Sequence, residues 1–288
     1  MYEEEFSFAK GFFWSLEGDY IAYYKFDESK VAEFSMDMYG SDTYPKPYVF
    51  KYPKAGEVNS VVSLHVWNGS ATVTASEGLK YEYIPRMAWS PKGELFFATL
   101  NRHQDSMQVM TYTTGKAPRR FLLETDAAYV ESEREFSFLA DGRLVWASER
   151  SGFTHYYLYS ADGSKSTPIT SGAYDITTFY GVDEARGEVY YQAASRSASQ
   201  REVFRTTLKG GKPTGIATKA PTNEADFSSS FDYYVLTTQD GNGPASYALM
   251  DRNGKQVRVL EDNAELRKNL GEFAYRLTGS SDLYADDS

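Results

Sequence analysis

Three consecutive glutamates, Glu3, Glu4 and Glu5, stand between Tyr2 and Phe6 near the start of the chain. Two carboxylates converging in a site shielded from water would bind a primary ammonium strongly, because its charge and three N–H donors are met by acceptors. Local conformation decides whether they converge. In an extended segment successive side chains alternate, so neighbouring glutamates point apart. A turn or single helical turn could instead bring two of them into one cavity. The competing reading is a solvated acidic terminus, the usual state of a short charge run.

Other constellations are incomplete. His65, His103 and His155 are each candidates for a general base, but none has a nucleophile motif nearby, which favours structural roles for all three. No serine has glycine two residues away on both sides, as the nucleophile elbow of an α/β-hydrolase requires. Two histidines at helical spacing with a glutamate between them, the zinc-protease pattern, do not occur. Asp240 to Gly243 and Asp251 to Gly254 look like calcium loops but lack the acidic continuation, and hairpin turns favour the same residues. Gly210 to Gly215 lacks the spacing and ending of a phosphate loop. With no cysteine, disulfides and thiolate metal sites are excluded. The expectation is therefore no catalytic residue, no metal and no cofactor. Forty acidic against thirty basic residues, a formal net charge of −10, speak against nucleic acid or an anionic membrane as partner. No apolar run is long enough to span a bilayer, and Tyr2 to Glu5 does not read as a signal peptide.

The elements that must hold the acids come from a repeat. Trp14 to Tyr23 reads as an apolar strand, a turn carrying Gly and Asp, and a second strand of alternating aromatic and aliphatic residues. The pattern returns at Trp89 to Phe97, Phe138 to Trp146, Val182 to Tyr191 and, more faintly, Phe227 to Leu236. The later intervals approach the length of one four-stranded propeller blade. Such a strand pair cannot bury its apolar face alone and must stack on neighbours. Val61–Trp67, Ala71–Thr74, Met107–Tyr112, His155–Tyr159, Val203–Leu208 and Ala245–Met250 read as further strands, the last three each running into a polar Gly turn that closes a blade. The longer first interval holds an insertion over 31–59, whose halves Phe34–Tyr39 and Tyr48–Tyr52 flank Gly40-Ser41-Asp42 as a β-hairpin arm. The fold class is all-β: a partial β-propeller of about five to six four-stranded blades with a projecting arm. Glu261 to Leu270 reads as a short helix with Asn263 as a candidate N-cap, and the tail at 273–288 as frayed.

YEEEF at Tyr2 to Phe6, FFWSLEGDYIAYYKFDESKVAEFS at Phe12 to Ser35, YPKAGEVN at Tyr52 to Asn59 and RVLEDN at Arg258 to Asn263 together resemble the dipeptidyl peptidase IV family of serine peptidases. The resemblance covers roughly Tyr2 to Leu270. It implies an eight-bladed propeller capping an α/β-hydrolase domain, in an enzyme that removes N-terminal dipeptides with Pro or Ala second. Carried over by position, the family's amine-binding pair falls on Glu4 and Glu5, with Glu3 in support, and its dimerisation arm on about 31–59. The resemblance further implies peptide substrates with a free N-terminus, a hydrolase domain of the same parent protein as partner, a homodimer through the arm, and export to the periplasm or cell surface. The family's Ser, Asp and His, and the first blades, are expected outside this chain, so 1–272 would be the partial propeller and 273–288 a tail or linker. Two other readings stay open: a non-enzymatic propeller that serves protein interaction, and the same region of a related tripeptidyl peptidase.

Overall fold

The computed structural model describes residues 2–8, 10–132, 134–241 and 243–272, with Glu3 and Glu4 described by their backbone alone. It opens on a single helical turn, α1 (Tyr2–Phe6), and continues almost entirely as strands. The first sheet is built from β1 (Phe12–Trp14), β2 (Ile21–Asp27), β5 (Val61–Trp67) and β6 (Thr72–Thr74). Between β2 and β5 the chain leaves to form a separate two-stranded ribbon, β3 (Glu33–Met38) and β4 (Lys46–Lys51), which is the expected arm. Its register runs from Glu33 opposite Lys51 to Met38 opposite Lys46. The second sheet takes β7 (Met87–Trp89), β8 (Leu95–Leu100), β9 (Ser106–Tyr112) and β10 (Arg119–Thr125) in order. The third takes β11 (Ser137–Phe138), β12 (Leu144–Ser148), β13 (His155–Tyr159) and β14 (Ser166–Pro168). The fourth takes β15 (Ile176–Asp183), β16 (Glu188–Ala193), β17 (Glu202–Thr207) and β18 (Thr214–Ala217). The fifth takes β19 (Thr222–Phe227), β20 (Tyr233–Gln239), β21 (Ser246–Asp251) and β22 (Gln256–Glu261), and α2 (Ala264–Glu272) follows. Five four-stranded antiparallel meanders in sequence order are propeller blades.

Each copy of the repeated motif lands in the same place, the hairpin joining the first two strands of a sheet. The turns close alike: Gly18 N donates to Ser15 O, Gly93 N to Ser90 O, and Gly142 N to Leu139 O. Gly18, Gly93 and Gly142 all have φ between 76° and 91°, where only glycine is free of a Cβ clash. In the fifth sheet Phe231 occupies this position with φ 56°, which is why that copy is the faint one. Strand burial follows from stacking. All six residues of β8 are buried, as an apolar run covered on both faces must be, whereas β2 alternates and the edge strand β22 is exposed throughout.

The chain divides into two units, one comprising Met1–Leu144 and Ser160–Ser164, the other Val145–Tyr159 and everything from Lys165 onward. In the first unit, Trp89 Nε1 donates to Phe13 O at 3.1 Å and the Trp89 ring stacks on Tyr20, so the first two sheets meet at their first strands. In the second, Tyr190, Val203, Ile216, Tyr234 and Met250 form one buried cluster on which Phe227 and Phe231 pack.

Two expectations need correction. The polar Gly turns after His155–Tyr159, Val203–Leu208 and Ala245–Met250 follow the third strand of each sheet; a fourth strand (β14, β18, β22) lies beyond them, and β14 and β18 are too short to stand out by alternation. Asn263 stands at the N-cap position, its carbonyl accepting Arg267 N, but its side chain donates to Ala245 O instead of capping the helix. Asp262 Oδ1 takes the Ala264 N–H instead. The tail at 273–288 lies outside the described residues.

Candidate functional site

The acidic run is helical because its flanking aromatics need burial on one side. Tyr2 and Phe6, four residues apart, share a helix face, and both are buried, Phe6 completely. Tyr2 meets Phe6, Phe8 and Phe26 edge-on with ring centroids 4.8–5.7 Å apart, and Phe6 meets Tyr83 at 5.4 Å. The Tyr2 hydroxyl accepts the buried Ile84 N–H at 3.1 Å, and burial raises its pKa well above the usual phenol value, so it is neutral. At the other end of α1, the Phe6 carbonyl lacks an intrahelical donor. Arg86 supplies one: its Nη1 donates to both Phe6 O and Pro85 O while its Nε lies 3.0 Å from Glu135 Oε1. Next to this end lies a cavity of about 240 Å³ lined by Ser7, Phe8, Tyr24, Arg86, Met87 and Glu135 among others.

Of the two proposed amine ligands, Glu5 is exposed and its Oε1 accepts a hydrogen bond from Gln104 Nε2 at 2.6 Å. The side chain of Glu4 lies outside the described residues, as does that of Glu3. The YPKAGEVN segment returns from the arm to the same neighbourhood. Asn59 Nδ2 donates to Glu82 Oε1 at 2.7 Å and to the Tyr83 hydroxyl at 3.0 Å, and Arg102 ties Glu82 to the Glu57 carbonyl. The Tyr83 phenol is raised chiefly by burial, opposed by the Asn59 amide and increased by the carboxylates of Glu82 and Glu5. Two motifs about fifty residues apart thus meet through Tyr83, whose ring packs on Phe6 and whose hydroxyl holds Asn59.

The histidines are structural or solvent-facing. His155 is buried: its Nε2 faces the Gly172 carbonyl at 2.9 Å and must donate there, and its Nδ1 lies 3.1 Å from Thr170 Oγ1. Thr170 Oγ1 also accepts the Tyr156 N–H, so both ring nitrogens of His155 are engaged with the segment after β14 and neither is free to act as a base. His65 stacks on Tyr23 between Ser63 and Thr74, with its pKa lowered by burial, and among the described residues its hydrogen-bond partners are these two hydroxyls and not a carboxylate. His103 is exposed on the hairpin between β8 and β9. Asp251 spends its carboxylate on the N–H groups of Asn253 and Lys255, which makes that segment a hairpin turn. Among the described residues no group of His, Asp and Glu could hold a metal ion.

Gln104, Tyr83, Arg86 and Arg102 escaped the sequence reading. The partners of Glu5 and Phe6 lie 99 and 80 residues away, and nothing in a local pattern marks which distant hairpin will pack on α1.

The sequence matches the family described as the dipeptidyl peptidase IV N-terminal region over residues 1–245. It is 25% identical to dipeptidyl peptidase 4 of Arthroderma otae over 296 residues, covering 95% of this chain and 38% of that protein. To a probable dipeptidyl-aminopeptidase B of Aspergillus clavatus it is 26% identical, covering 95% of this chain and 34% of that one. The crystal structure of Porphyromonas gingivalis dipeptidyl peptidase 4 superposes with a TM-score of 0.86 and 38% identity, covering 93% of this chain and 39% of that one. A putative dipeptidyl aminopeptidase IV from Bacteroides ovatus shares the fold, with a TM-score of 0.77 at 22% identity, covering 90% of this chain and 41% of that one. The chain therefore spans about two fifths of the length of these relatives or less.

Proposed function

The chain belongs to the family of dipeptidyl peptidase IV N-terminal regions, and from that premise we propose that it is the propeller portion of a longer serine peptidase that releases N-terminal dipeptides with Pro or Ala second. Its task is to bind the substrate's α-ammonium through Glu4 and Glu5, with Glu3 in support. The observation that carries this reading is the anchored helical turn: Tyr2 and Phe6 are buried, and the acids between them ride on a fixed backbone with Glu5 held by Gln104. A carboxylate pair carried on this backbone would measure two residues from a free amine to the scissile bond, because an acylated or longer N-terminus cannot place a cation there. The catalytic Ser, Asp and His would be supplied by an α/β-hydrolase domain of the same protein, the arm of β3 and β4 by its exposed Tyr39, Tyr44 and Tyr48 would pair with a second copy, and the whole would act outside the cytoplasm. In this reading the propeller runs over 1–272 and 273–288 is a tail or linker.

The test is kinetic, in the full-length protein. Glu4→Gln and Glu5→Gln should each lower kcat/KM on an Ala-Pro chromogenic substrate by about 10- to 100-fold, the loss of one charged contact of roughly 1.5–3 kcal/mol. The 288-residue chain alone should give no turnover. Unchanged kinetics in both variants would remove the acids from the site.

A further inference from the structure

Three properties meet at Gln104. It is not glycine, yet it sits in the left-handed region with φ 57°, where a Cβ crowds the backbone. Its Oε1 is buried and has no hydrogen-bond partner, in a class of group that is nearly always satisfied. Its Nε2 makes a short 2.6 Å bond to Glu5 Oε1. The main chain accounts for the first of these and for neither of the others. The turn is built by Asn101, whose Oδ1 accepts from Asp105 N and Ser106 N, and Gln104 is pinned in it by Gln104 N to Asn101 O and Val130 N to Gln104 O. Those bonds use main-chain atoms and would survive a change of side chain. The side chain's direction is also fixed by charge. Rotating the amide would set Oε1 against the Glu5 carboxylate, acceptor to acceptor, so Nε2 must face Glu5 and Oε1 must stay unpaired.

We propose that Gln104 is a positioning residue for amine recognition: its amide clamps one oxygen of Glu5, so that the carboxylate is already oriented when the substrate's ammonium arrives. This rests on the reading of Glu5 given above. An exposed glutamate otherwise samples many rotamers and must be ordered at the moment of binding, a cost that a preformed hydrogen bond removes. The clamp acts on ground-state and transition-state binding alike, so its loss belongs in KM and not in kcat.

The experiment uses the full-length protein and two substrates, Ala-Pro-p-nitroanilide and its des-amino counterpart propionyl-Pro-p-nitroanilide. Gln104→Gly suits the left-handed backbone and deletes only the amide. It should raise KM for the free-amine substrate about 10-fold, the scale of one hydrogen bond to a charged group, leave kcat and the des-amino substrate unchanged, and keep Tm at or above that of the parent. Gln104→Glu, nearly the same size but without a donor toward Glu5, should raise KM at least as much. The proposal is overturned if Gln104→Gly leaves KM unchanged while Glu5→Gln raises it, or if Gln104→Gly harms both substrates equally along with Tm, which marks a structural role. A Glu5→Gln protein indistinguishable from the parent on the free-amine substrate is a different failure: it removes the amine site itself, and the clamp with it.

Discussion

Two glutamines in this chain have opposite surroundings. Gln192, in β16 of the second unit, is buried and bonded at both ends of its amide: its Oε1 accepts from Thr177 and Thr178, and its Nε2 donates to the Asn223 carbonyl at 2.7 Å. Asn223 in turn spends its amide on the Arg201 and Ala220 carbonyls. Gln104, in the first unit, is partly buried on a left-handed turn residue, with one bond to a carboxylate and an unpaired oxygen. An amide bonded at both ends joins strands; one whose oxygen is unpaired while its nitrogen faces a carboxylate is better explained by the carboxylate's task than by the fold's. The same contrast separates the buried His155, bonded at both ring nitrogens, from the exposed Glu5.

The contrast can be broken by substitution. The largest effect should come from Phe6→Ala, which empties a fully buried site and should cost about 3–5 kcal/mol in denaturant unfolding. It should also abolish amine recognition, because α1 loses its anchor. Gln192→Met should follow at about 1–3 kcal/mol, since the Asn223 carbonyl and two threonine hydroxyls lose their partner, with KM for a free-amine substrate unchanged in the full-length protein. If Gln192→Met shifts KM and Gln104→Gly shifts Tm, the assignment of the two glutamines is reversed.

The smallest effect concerns alkaline pH. Burial raises Tyr180 and Tyr234 from the usual 10.0 to about 12. The fold therefore prefers their neutral forms, so their contribution is whole below pH 10 and is lost as pH rises toward about 12. Thermal unfolding should show falling Tm across that window, with a smaller fall in Tyr234→Phe; a flat profile would contradict the burial of these phenols.

Much of the architecture was legible because it repeats. The strand–turn–strand copies mark the first hairpin of every sheet, and Gly40-Ser41-Asp42 between two aromatic runs marks the arm. The helical turn at Tyr2–Phe6 was one of two local conformations the glutamates allowed, and only the burial of Tyr2 and Phe6 decides between them. The companions of Glu5 were not legible. Gln104 looks like an ordinary residue of a polar hairpin, and its value depends on the packing of the second sheet against α1, which local sequence does not encode. Asn263 was misread because the N-cap preference of asparagine is a local rule, and here a distant carbonyl, Ala245 O, competed for its side chain.

The central claim is that the acids of α1 receive the leading nitrogen of a peptide. A crystal structure of the full-length protein with a bound, slowly cleaved dipeptide analogue carrying a free amine tests it most directly. The account predicts the nitrogen within hydrogen-bonding distance, about 2.7–3.1 Å, of Glu4 and Glu5, with Gln104 Nε2 still on Glu5. A nitrogen seated elsewhere, with both carboxylates turned to bulk water, would contradict it.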